Sequence, residues 1–135
     1  MQSQFLEESI LSVKNVESNA HRSILCIDPS PGMLLIYRAL LEANGYFVLT
    51  ASSAQAGLEL LKQNRIDAVV MDSEFQETSA IKLAREIKNI CKELPLVVFS
   101  SSSHPEGDYA EIGFVLDKAR GPKALLHVID KICKS

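Results

Sequence analysis

Four side chains that could do chemistry each close a short apolar run. Asp28 follows Ser23-Ile24-Leu25-Cys26-Ile27, and Asp72 follows Ile66-Asp67-Ala68-Val69-Val70-Met71. Ser100 ends Pro95-Leu96-Val97-Val98-Phe99, and Lys118 comes directly after Gly113-Phe114-Val115-Leu116-Asp117. Singly each is a weak signal, because Asp is a common turn residue and a Ser or Lys at the end of an apolar run is more often solvated. Taken together, two carboxylates, a hydroxyl and an ammonium suit one task. They can hold a hard divalent cation such as Mg²⁺ against a phosphoryl group. One of the aspartates can then serve as the nucleophile that forms an acyl phosphate.

Such a set matters only if the fold gathers it. Short runs rich in β-branched residues read as strands buried on both faces, as in a parallel sheet covered by helices. Helical patterns lie between them. Ser30 is a suitable N-cap with Pro31 at the first helical position, followed by Met33, Ile36, Tyr37, Leu40 and Leu41 at helical spacing. Asn44-Gly45 supplies a left-handed stop before a strand from Tyr46 to Thr50. Ser52 and Gln55 make a capping box for a helix carrying Ala54, Leu58 and Leu61. A loop through about Thr78 leads to a helix with Ile81, Ala84, Ile87 and Cys91 on one side, and Gly121-Pro122 opens a last helix with Leu125, Leu126, Ile129 and Ile132. His104 to Ile112 has room for only one or two helical turns.

Five strands alternating with helices predict an α/β fold, a flavodoxin-like doubly wound parallel sheet of order 2-1-3-4-5 with helices on both faces. In that architecture ligands bind beyond the carboxyl ends of the strands, where all four residues fall.

The bulk properties narrow the function. A chain of 135 residues is one domain's worth, able to bury roughly two-thirds of its unfolded surface without staples. A net charge of −3 with no Lys/Arg cluster argues against direct nucleic-acid binding. No apolar run approaches the ~20 residues of a membrane span. The odd, scattered cysteines Cys26, Cys91 and Cys133 fit buried thiols in a reduced, cytoplasmic setting better than a disulfide framework. Residues 1–22 stand apart from the domain at 23–135. Phe5, Leu6, Ile10 and Val13 fall at helical spacing, which predicts an amphipathic extension packed on its own domain, with a dimer-forming or partner-docking helix as the sharper reading. His21, His104 and His127 are too scattered to be metal ligands.

From about Ile24 onward the chain resembles the receiver domain of two-component response regulators. The resemblance rests on Ile-Leu-Cys-Ile-Asp at 24–28, Asn-Gly-Tyr at 44–46, Ala51 through Leu58, Asp-Ala-Val-Val-Met-Asp at 67–72, Pro-Leu-Val-Val-Phe-Ser at 95–100, and Lys118. It implies that Asp72 is the phosphoacceptor, Ser100 the switch hydroxyl and Lys118 the phosphate-binding lysine. It also implies a Mg²⁺ site drawn from Asp28, Asp72 and the main-chain carbonyl of Glu74.

Departures from the family pattern are equally specific. A second carboxylate normally follows the first, and here Pro29 stands in its place, which weakens the expected metal site. The Glu74 side chain could lend itself instead. Val115 replaces the aromatic usually found three residues before the lysine, with Phe114 one place off and on the opposite face. The interval from Ser100 to Lys118 is about one helical turn short of the family's, which predicts a shortened fourth helix.

The expected function is a signalling receiver. It would take a phosphoryl group onto Asp72 from a histidine kinase or phosphotransfer protein and act through contact with a downstream protein. The alternative is a degenerate receiver, an interaction module independent of phosphorylation. An enzyme is not expected. A haloacid-dehalogenase-type phosphatase would carry its metal-binding acidic pair after the lysine, whereas Asp28 precedes it, and no G-x-G-x-x-G or Walker A run supports a nucleotide enzyme.

Overall fold

In the computed structural model the described residues are 22–101 and 112–133. The expected N-terminal helix and the shortened fourth helix lie outside them, as do His21 and His104. Five strands, β1 (Ser23–Ile27), β2 (Phe47–Ala51), β3 (Ala68–Met71), β4 (Leu96–Ser100) and β5 (Phe114–Asp117), form one parallel sheet of order β2-β1-β3-β4-β5. The helices are α1 (Pro31–Ala43), α2 (Ala54–Gln63), α3 (Ala80–Ile90) and α4 (Pro122–Cys133), with a 3₁₀ turn at Lys118–Arg120. This is the predicted doubly wound fold.

Strand parity divides the core into two layers. Leu25, Ile27, Val69, Met71, Leu96 and Val98 pack with α2 and α3 on one face. Ile24, Cys26, Val70, Val97, Phe99 and Leu116 pack with α1 and α4 on the other. Every residue of β3 and β4 is buried, which is why those segments read as unbroken apolar runs rather than alternating ones.

Local signals worked where they involved specific backbone chemistry. Ser30 caps α1 by accepting from the Met33 N–H at 3.2 Å, with Pro31 at its start. Gly45 takes φ +92°, the left-handed stop expected after α1. Other expectations need correction. The cap of α2 is Ser53, which accepts from Ala56 N–H, and not Ser52. Ile36 is exposed, and Leu34 packs on the α1–α4 face instead. Cys91 is an exposed C-cap of α3, so only Cys26 and Cys133 are buried thiols.

β5 carries Lys118 into place, and its entry is tight. A Cβ on Gly113 would lie 2.5 Å from the Leu96 carbonyl oxygen, a backbone atom that cannot swing away. Gly113→Ala should therefore push β5 off β4 and cost about 1–3 kcal/mol, the usual range for overpacking. Urea denaturation checks this, and an unchanged midpoint would contradict the close approach.

Candidate functional site

The carboxyl ends of β1, β3 and β5 bring Asp28, Asp72 and Lys118 together. β1 and β3 are neighbours, with Ile27 opposite Met71, so the aspartates that follow them stand side by side. The Asp72 N–H still donates to the Ile27 carbonyl, extending the ladder by one residue. Lys118 starts from the far edge of the sheet. The Asp117 carboxylate accepts from Ala119 N–H at 2.8 Å and turns the chain into the 3₁₀ segment at that point. The lysine side chain then reaches back across the end of β4. Its ammonium donates to Asp28 Oδ2 at 3.0 Å and to Asp72 Oδ1 at 2.9 Å.

Both carboxylates are sheltered, Asp28 at 1% exposure and Asp72 at 9%. Buried charges of like sign need donors, and Asp28 has three. Oδ1 accepts from the Ser30 N–H at 2.9 Å, and Oδ2 accepts from the Tyr37 hydroxyl at 2.9 Å as well as from Lys118. Burial works against the Lys118 ammonium. Its hydrogen bonds to Asp72 and Asp28, with their charges, more than offset this, so its pKa lies above the ordinary 10.5. Burial drives the Tyr37 phenol up, and the adjoining Asp28 charge and hydrogen bond add to it.

Ser100 is fully buried at the end of β4, and its hydroxyl lies 2.6 Å from that of Ser73. Beside the aspartates an open cleft of about 420 Å³ is lined further by Pro29, Glu74, Phe75 and Gln76. Glu74 is exposed at its edge.

The donors for a divalent cation were tested on this geometry. Among the described residues no three His, Cys, Asp or Glu side chains converge in a way that could hold a metal ion. Both oxygens of Asp28 are engaged, and Pro29 offers neither a carboxylate nor an N–H. The side chains present offer two adjacent carboxylates, Asp28 and Asp72, whose oxygens a largely hydrated Mg²⁺ would have to share with Lys118.

Two participants escaped the sequence reading. Tyr37 was counted in the apolar stripe of α1. A tyrosine hydroxyl in a buried stripe requires a hydrogen-bond partner, and that requirement was the available signal. Ser73 had no signal beyond standing next to Asp72. The expected aromatic question at β5 resolves simply: Val115 and Phe114 are both exposed on this edge strand. The ring pair near the site is instead Tyr37 with Phe99, centroids 6.1 Å apart.

Comparison with known proteins agrees with this architecture. The family model of the response regulator receiver domain matches residues 24–127. The chain is 30% identical over 78 residues to the transcriptional regulatory protein GlrR of Escherichia coli, covering 58% of this chain and 18% of that protein. It thus spans less than a fifth of that relative. A response regulator receiver domain protein of Clostridium thermocellum superimposes with a TM-score of 0.75 at 30% identity, over 84% of this chain and 94% of that one. The response regulator TrrA of Thermotoga maritima, solved with Mg²⁺-BeF, has the same fold, with a TM-score of 0.76 at 22% identity over 82% and 98%. The chain belongs to the response regulator receiver domain family of two-component signalling.

The site's hydrogen bonds have measurable consequences. Tyr37→Phe removes a donor from a buried carboxylate and should destabilise the protein by about 1.5–3 kcal/mol in urea unfolding. A loss below a few tenths would show that the bond contributes little. Lys118 gives a pH signature. Because its folded pKa is raised, its stabilisation is complete below 10.5 and is lost as pH climbs through the raised value. The stability gap between the wild type and Lys118→Met should therefore narrow above pH 10.5, and a gap constant to higher pH would rule this out.

Proposed function

We propose that Asp72 accepts a phosphoryl group from a histidine kinase or phosphotransfer protein, with output through contact with a downstream protein. One observation carries the reading: a single ammonium joins Asp72 to Asp28 at the carboxyl edge of a receiver fold. In the transfer, an Asp72 carboxylate oxygen attacks phosphorus. The P–N bond of the phosphohistidine breaks and a P–O bond forms, while the leaving ring nitrogen keeps the electron pair and the donor's imidazole departs neutral, with the proton already carried on its other ring nitrogen. Lys118 contacts Oδ1, which leaves Oδ2 uncontacted by the ammonium and available to attack. As the phosphoryl dianion arrives, the ammonium gains a stronger partner and stabilises the developing negative charge. Ser100 supplies a hydroxyl to a phosphoryl oxygen.

We further propose that divalent-metal binding in this chain is weak, because position 29 lacks the carboxylate. A phosphorylation-independent interaction module is the second reading, favoured by Pro29 and by an Asp28 whose two oxygens already accept three hydrogen bonds. No turnover of a generic phosphate monoester is expected under either reading.

Two measurements separate them. Incubation with acetyl phosphate and Mg²⁺ should add one phosphoryl group by intact mass, labile to hydroxylamine and absent in Asp72→Asn. A modification that persists in Asp72→Asn would move the acceptor elsewhere, and none in the wild type would favour the module. Pro29→Asp should tighten Mg²⁺ by roughly 10-fold or more in an amide-shift titration, the scale on which metal-site partners act. Unchanged affinity would mean that position 29 does not limit binding.

A further inference from the structure

Phosphoryl transfer as described gives Ser73 no part, yet its hydroxyl holds the buried hydroxyl that the transfer uses. The reason lies in strand parity. Along β3, Val70 faces α1 and α4 while Met71 faces α2 and α3. Continuing the alternation, Asp72 belongs to the α1–α4 side, where it meets Lys118 and Asp28. Ser73 lies in the bend just past the strand end, within reach of Ser100. Along β4, Phe99 faces α1 and α4 while Val98 faces α2 and α3, so Ser100, the last residue of that strand, falls on the α2–α3 side. Their hydroxyl oxygens are 2.6 Å apart, at the short end for a neutral O–H···O bond.

We propose that Ser73 is a positioning residue that locks the Ser100 hydroxyl on the α2–α3 side of the sheet in the unmodified protein. Phosphorylation of Asp72 has to draw that hydroxyl over the rim, and this inference rests on Asp72 being the acceptor. The Ser73–Ser100 bond therefore competes with the Ser100–phosphoryl bond, and Ser73 sets how readily the switched state forms. Its effect is a bias between two hydrogen bonds rather than a contact with the transferred group.

The test uses the full 135-residue chain with Ser73→Ala and Ser73→Thr. Ser73 is half-buried, so neither change burdens the core. Without ligand, three-bond couplings should show the same Ser100 χ1 populations in the wild type and Ser73→Thr, and shifted populations in Ser73→Ala. With beryllofluoride at saturating Mg²⁺, Ser73→Ala should bind roughly 2- to 10-fold more tightly, the scale of one neutral hydrogen bond. Ser73→Thr should restore the wild-type constant. Weaker binding in Ser73→Ala would overturn the inference, since Ser73 would then support the switched state. Identical Ser100 χ1 populations in all three proteins would also overturn it. Failure of the wild type to bind beryllofluoride counts instead against Asp72 as acceptor, and the coupling measurement still decides whether Ser73 locks Ser100.

Discussion

The arrangement depends on one ammonium set between two sheltered carboxylates. Lys118 comes from the edge strand, Asp28 and Asp72 from the two central ones, and the lysine side chain crosses the end of β4 to reach them. Removing that cation would leave two carboxylates side by side, out of water, with their repulsion uncompensated. The ion pairs therefore tie the least buried strand of the sheet to its centre. They also fix the spacing of Asp28, Asp72 and Lys118. Gly113 is part of the same constraint, because it lets β5 lie close enough to β4 for the lysine to span the gap.

Parity then divides the work. Asp72 continues the α1–α4 side of β3 and shares Lys118 with Asp28, while Ser100, the last residue of β4, falls on the α2–α3 side and bonds Ser73. A group that bonds both sets would have to straddle the carboxyl edge of the sheet. On the α1–α4 side the continuation is Tyr37, which bonds Asp28 and lies against Phe99, the residue before Ser100. With Val115 and Phe114 exposed on β5, these two rings are the buried aromatic contact beside the site.

Much of this was legible in the sequence, and the reasons are physical. The sheet order followed from strands and helices in strict alternation, since right-handed crossovers leave few alternatives. Asp28, Asp72, Ser100 and Lys118 could be picked out because apolar runs ending in a polar residue mark strand ends. The misses have different physical causes. Tyr37 looked apolar because its ring is, and only the fold reveals that its hydroxyl reaches Asp28. Ser53 rather than Ser52 caps α2 because two adjacent serines offer the same chemistry and the backbone chooses between them. Cys91 followed the helical stripe of α3 one position too far, past the last turn that faces the core.

The same atoms that settle Asp28 also limit what else it can do. A carboxylate at 1% exposure needs donors at both oxygens, and Ser30, Tyr37 and Lys118 supply them. Each donor that makes Asp28 tolerable inside the protein takes an oxygen lone pair that a cation would need. A carboxylate at position 29 would stand at the exposed lip of the cleft and could serve a metal without loosening that network. Pro29 cannot, so a bound metal would draw on the same small set of oxygens that the buried cluster uses. Under the proposed function, electrostatic support for a phosphoryl group would then fall chiefly to Lys118, the one cation in contact with Asp72 among the described residues.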